Sequence, residues 1–153
     1  MKISELLRTE TINADLKAKW KNEALAEMVD AMIKIQNGLD REEVIRVLLE
    51  REKLGSTGIG DGVAIPHGKL KGLKDLFISF GRSRSGVEFD SMDGKPVNLI
   101  FLLIAPEESV GVHLKTLARI SKLLKNASVR QRLAGASDKQ EIFDIILEEE
   151  EKL

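Results

Sequence analysis

The chain contains no cysteine among its 153 residues, which excludes disulfides, thiolate zinc sites and cysteine nucleophiles and suits a reducing compartment. It has no tyrosine, one tryptophan and five phenylalanines, so aromatic platforms for stacking bases are poorly supplied. Neither sign of charge prevails. Lys plus Arg total 24 against 25 for Asp plus Glu, which argues against the wide basic surface that phosphate-backbone binding demands. Nucleic acid is therefore not an expected partner. No run approaches the roughly 18 apolar residues of a membrane span, and the opening "MKISELLRTETINADLKAKW" has no apolar signal core. No membrane insertion and a cytoplasmic location are expected.

The chain has neither an internal repeat nor a Pro/Gly/Ser linker, so one domain over 1–153 is expected. A chain of this length buries on the order of 70% of the surface its unfolded form exposes. Leu25, Met28, Val29, Met32 and Ile33 recur at helical spacing between about 22 and 36, and Gly38 closes that helix. A second helix opens at Asp40, with Glu43 completing a capping-box pattern, and carries Val44, Ile45, Val47 and Leu48 toward Leu54 and Gly55. The middle turns strand-like. "LFISF" (76–80) is one run, and "VNLIFLLIA" (97–105) is so continuously apolar that a strand covered on both faces is predicted. "GVAI" (62–65) and "GVEF" (86–89) are further candidates, separated by the turn-rich "GRSRSG" and "SMDGKP". From Ser109 the helical period returns, with Leu114, Leu117, Ala118, Ser121 and Leu124 on one face. A last helix opens at Ser137 with Gln140 in its capping box, and "EEEEK" (148–152) reads as a solvated, fraying end. The expectation is an α/β fold: a single domain with a central mixed β-sheet flanked by α-helices.

The stretch "IGDGVAIPHGKL" (59–70) holds one of only two histidines. Its glycines do not make a nucleotide site. Gly58, Gly60 and Gly62 give G-x-G-x-G followed by a strand-like run, and five residues separate Gly62 from Gly68 where a P-loop has four. Leu70 also stands where a P-loop has Ser or Thr. A metal centre is not supported, because His67 and His113 show no H-x-x-x-H or H-x-x-E-H spacing. A serine nucleophile would need an elbow pattern that "SFGRSRSG" lacks. Two readings of His67 remain: a structural ring bonded to backbone, or an imidazole nucleophile that takes a phosphoryl group. The second needs little activation, because the ring is mostly neutral at pH 7. Pro66 favours extended geometry before it, and Gly68 leaves space beside it.

"STGIGDGVAIPHGKL" resembles the active-site signature of enzyme IIA components of the bacterial phosphoenolpyruvate-dependent phosphotransferase system, of the fructose and mannitol class. "EREKLGSTGIG", "DGKPVNLIFLLIAP" and "HLKTLARISKLL" fall where that family has them, so the resemblance covers nearly the whole chain. Within the class the wording is most similar to the nitrogen-regulatory enzyme IIA proteins. The resemblance implies that His67 accepts phosphate on Nε2 from HPr or its nitrogen-branch paralogue. It further implies that His113, at the start of a helix, donates a hydrogen bond to the phosphoryl group and that Arg51, at the end of the "VIRVLLERE" helix, stabilises its charge. Neither a metal nor a cofactor is implied. Thr57 offers a hydroxyl to the same group or makes a local turn bond. Lys69, Lys71 and Lys74 either steer a partner or are simply solvated. Two uses follow: transfer onward to a fructose- or mannitol-type enzyme IIB, or a regulatory module whose partners depend on its phosphorylation. With neither a membrane span nor a second transport domain in the chain, signalling is the expected use.

Overall fold

A computed structural model describes residues 2–153. The apolar run becomes strand β6 (Val97–Pro106), and its alternate side chains enter two different cores. Leu99, Phe101, Leu103 and Ala105 pack toward α1 (Ile3–Leu6), α4 (Val110–Lys125), α5 (Ala127–Gly135) and α6 (Lys139–Glu150). Ile100, Leu102 and Ile104 pack on the other side, against α2 (Lys21–Ile35) and α3 (Arg41–Lys53). A strand with helices on both faces has no polar side to alternate with, hence the unbroken hydrophobic run. The sheet runs β1 (Ile12–Asn13), β5 (Phe77–Val87), β6, β3 (Val63–Ala64), β2 (Gly58–Gly60), and β4 (His67–Leu70) lies beside β6 as well. Antiparallel β5 and parallel β3 and β4 make it mixed, as expected.

The structure corrects several readings. "GRSRSG" is not a turn between strands: β5 runs through it, and Val87 of "GVEF" ends the same strand. Arg82 and Ser83 are buried there, so the strand carries polar residues where apolar alternation would have marked it. In α4 the buried face holds His113, Thr116, Ile120, Leu123 and Leu124, while Leu114, Ala118 and Ser121 are exposed. The helix begins three residues before His113. A separate α5 follows, opened by Asn126 accepting from the Ser128 N–H. The cap of α6 is Asp138, accepting from the Glu141 N–H, rather than Ser137. Asp40 caps α3 as expected, but the Glu43 carboxylate pairs with Arg46 instead of returning to the cap.

Nor is "EEEEK" simply solvated. Glu149 and Glu150 are buried. Glu150 accepts from the Ile3 N–H at 2.5 Å, the Ser4 N–H at 3.0 Å and Arg119 at 2.6 Å, which holds α1 against α6. Glu149 pairs with Arg132 at 2.8 Å.

Arg82 is fully buried, and among the described residues no carboxylate pairs with it. Its guanidinium donates to the carbonyls of Ala14 (2.9 Å), Leu133 (3.1 Å), Ala134 (3.4 Å) and Ala136, tying the N-terminal segment to the end of α5. Carbonyls at a helix C-terminus carry partial negative charge, which suits a cation. Arg82→Ala is expected to lower stability by about 2–4 kcal/mol, because several buried carbonyls lose their donor. Arg82→Lys should recover only part of that loss, since an ammonium cannot fork to four acceptors. Urea denaturation of the three proteins checks both.

Candidate functional site

Parallel pairing with β6 places the ring of His67. His67 is in register with Leu103, whose N–H donates to the Pro66 carbonyl at 3.0 Å. Pro66 sits between β3 and β4, where both strands follow the same edge of β6. Gly68 lets α3 approach the strand: a Cβ there would lie 3.0 Å from the Val47 side chain. The space beside Gly68 is thus taken by this chain's own helix.

His67 Nδ1 lies 2.9 Å from the Ile65 carbonyl oxygen. A carbonyl only accepts, so Nδ1 carries the proton and the lone pair of the neutral ring is on Nε2. Burial lowers the pKa of His67. The Ile65 bond opposes the shift, the Arg51 charge adds to it and the Glu52 charge opposes it. The ring is therefore neutral at pH 7. One nitrogen is bonded to backbone, as the structural reading of His67 expects, and the other keeps a lone pair outside that bond.

The His113 ring stands edge-on to His67, with centroids 5.4 Å apart and planes at 64°. His113 is 4% exposed, and its Nδ1 is buried with no hydrogen-bond partner. Its pKa is pushed down to about 4, chiefly by burial, with repulsion from the protonated form of His67 and from Lys69 adding to the shift. An unpaired lone pair is cheaper to bury than an unpaired N–H, so the proton belongs on Nε2. Arg51 donates through Nη1 to the Gly55 carbonyl at 2.8 Å. Among the described residues no carboxylate lies within ion-pair distance of it. Arg51, His67 and His113 together line one open depression of about 480 Å³, with Val47, Glu50, Leu54, Gly68, Lys69, Leu114 and Leu117 around them.

Three of the expected residues are thus brought together, and Lys69 joins them, two positions along β4 from His67. Lys71 and Lys74 lie elsewhere, on a separate depression shared with Glu107 and Glu108. Thr57 is buried, its hydroxyl donates to the Glu52 carboxylate, and it does not line the depression. The apolar rim was missed at the sequence level: Leu54 is 84% exposed and Leu114 59%. Two leucines left in solvent beside a histidine pair carry a signal, but sequence periodicity assigned Leu114 to the core.

A guanidinium and two imidazoles sharing one open depression form an arrangement able to hold a small anion, here on an α/β fold with a doubly covered central strand. The chain belongs to the family described as "Phosphoenolpyruvate-dependent sugar phosphotransferase system, EIIA 2", whose profile matches residues 5–149. It is 43% identical over 146 residues to a nitrogen regulatory protein of Bradyrhizobium diazoefficiens, covering 95% of each chain. It is 40% identical to the fructose-specific EIIABC component of Bacillus subtilis, over 95% of this chain and 23% of that one. The crystal structure of nitrogen regulatory protein IIA-Ntr from Neisseria meningitidis superposes with a TM-score of 0.88 at 38% identity, covering 94% of this chain and 98% of that one.

The buried, neutral His113 makes stability depend on pH. Below about 6.5 the unfolded chain binds a proton there that the folded chain refuses until about 4. Stability therefore falls as pH drops through that window, by up to about 3 kcal/mol from this group. His113→Gln removes the contribution. Its denaturation midpoint, followed from pH 7 to pH 4.5, should fall less steeply than the wild type's.

Proposed function

We propose that the protein is a phosphohistidine carrier that takes a phosphoryl group from a phosphorylated HPr-type protein onto Nε2 of His67. It would act in the cytoplasm, in nitrogen-regulatory phosphotransferase signalling. The observation that carries this reading is the pinned ring: Nδ1–H is held by Ile65, and the Nε2 lone pair is left in a depression shared with Arg51 and His113.

The Nε2 lone pair attacks phosphorus, the P–N bond to the donor's imidazole breaks, and that bonding pair returns to the donor nitrogen. Negative charge spreads over the equatorial oxygens in transit. Arg51 has donors beyond the Nη1–H given to Gly55, and His113 has its Nε2–H; both serve as preorganised partners for those oxygens. The proton on His67 Nδ1 stays on the ring, which keeps the imidazole a competent leaving group for transfer onward. The exposed Leu54 and Leu114 give a donor an apolar seat. Lys69 supplies attraction for an acidic partner.

The identity to proteins named for nitrogen regulation over nearly their whole length supports the signalling use. A new charge of about −1.5 to −2 on His67 is enough to admit or repel a target. The similarity to a fructose-specific component supports a second reading, in which phosphate passes to a fructose- or mannitol-type enzyme IIB.

Incubation with phosphoenolpyruvate, enzyme I and an HPr-type carrier should place one acid-labile, alkali-stable phosphate on the wild type and none on His67→Ala. Label persisting on the Ala variant overturns the assignment. Arg51→Ala should slow uptake by about 10²–10³, as loss of one charge-stabilising donor does elsewhere, while its urea midpoint stays near the wild type's. Phosphate reaching sugar through a fructose- or mannitol-type enzyme IIB would favour the transport reading.

A further inference from the structure

Glu52 follows Arg51 in α3, yet its carboxylate is turned inward and buried. It accepts from the Thr57 N–H at 3.1 Å and from the Thr57 hydroxyl, and it pairs with Lys21 Nζ at 3.2 Å. From Thr57 the bonding continues to the reacting ring. The Thr57 carbonyl accepts from the Ile65 N–H at 3.1 Å, and the Ile65 carbonyl accepts from His67 Nδ1 at 2.9 Å. The same short loop holds the guanidinium, since Gly55 donates its N–H to the Glu52 carbonyl at 3.1 Å and accepts from Arg51 Nη1 at 2.8 Å. Residues 55–57 are therefore fixed at one end by Glu52, and through them both Arg51 and His67 are oriented.

We propose that Glu52 and Thr57 form a positioning clasp that sets the tautomer and aim of His67 and the reach of Arg51. The proposal rests on the reading of His67 as phosphoryl acceptor. A purely structural role would show only as lost stability, whereas loss of orientation at a reacting centre lowers rate steeply. Thr57 is then a positioning residue rather than a donor to phosphate.

The test compares full-length wild type, Glu52→Leu, Thr57→Val and Thr57→Ser. Lys21 retains Asp90 at 3.6 Å when Glu52 is removed. Nitrogen-15 spectra of the histidine rings at neutral pH should show His67 with its proton on Nδ1 in wild type and Thr57→Ser, and a mixture of tautomers in Glu52→Leu and Thr57→Val. Phosphoryl uptake should fall about tenfold or more in those two, with the loss in turnover rather than in the half-saturating donor concentration. Thr57→Ser should stay close to the wild-type rate. Wild-type tautomer and rate in folded Glu52→Leu or Thr57→Val overturn the proposal. So does unfolding of both, which would assign the pair to the fold. The tautomer readout needs no phosphoryl donor, so it reports on the clasp even if wild type takes up no phosphate and the carrier reading fails.

Discussion

The parallel pairing of β4 with β6 is the constraint on which the site depends. Leu103 is fully buried in the middle of a strand that is covered on both faces, and His67 is its register partner. A one-residue slip of β4 would turn His67 to the sheet's other face and bring Gly68 to its place. The burial that stabilises the fold thus also fixes the position of the His67 ring. What β6 cannot set is rotation of the ring about its own bonds. That is left to the Ile65 carbonyl, which belongs to the same turn of chain and moves with it.

The electrostatics follow from partial burial. Both imidazoles lose water, and both are shifted toward the neutral form at pH 7. Two adjacent imidazolium rings would repel each other and stabilise an anion too strongly for release. Two neutral rings offer one lone pair and one N–H, which is the complement needed to accept a phosphoryl group and then hold it. The cationic side chains of the depression are Arg51 and Lys69, which reach solvent and so avoid the cost of burying a charge. An open depression also lets a phosphorylated protein bring its own ring to within bonding distance, which a closed cavity would forbid.

Much of this was legible in the sequence, and the exceptions share a cause. The doubly covered strand, the mixed sheet, the Asp40 cap and the pairing of His67 with His113 and Arg51 rest on uninterrupted hydrophobicity, local hydrogen-bond chemistry or a specific motif. The misreadings fall where polar side chains are buried. Arg82 and Ser83 disguise the middle of β5 as a turn, and Glu149 and Glu150 disguise a docked helix end as a solvated one. In α4 the buried stripe begins with His113 and Thr116, so a search for apolar period selected the neighbouring leucines instead. Leu114 and Leu117 line the depression, while His113 and Thr116 take the buried positions.

Glu52 belongs with these cases and shows what they have in common. In "EREK" it reads as one more charge on a helix surface, because its acceptors' partners, Lys21 and Thr57, lie 31 residues before it and 5 after, and neither spacing has a helical signature. Buried charges such as Glu52, Arg82 and Glu150 each bond to the backbone of another segment: the 55–57 loop, the Ala14 region and α1. Hydrophobic burial is non-directional and sets which layers pack. Hydrogen bonds to ionised groups are directional and set where a loop stops. A depression in which one ring nitrogen and one guanidinium are each held by a backbone carbonyl depends on the second kind of force, and that force leaves the weakest trace in a linear sequence.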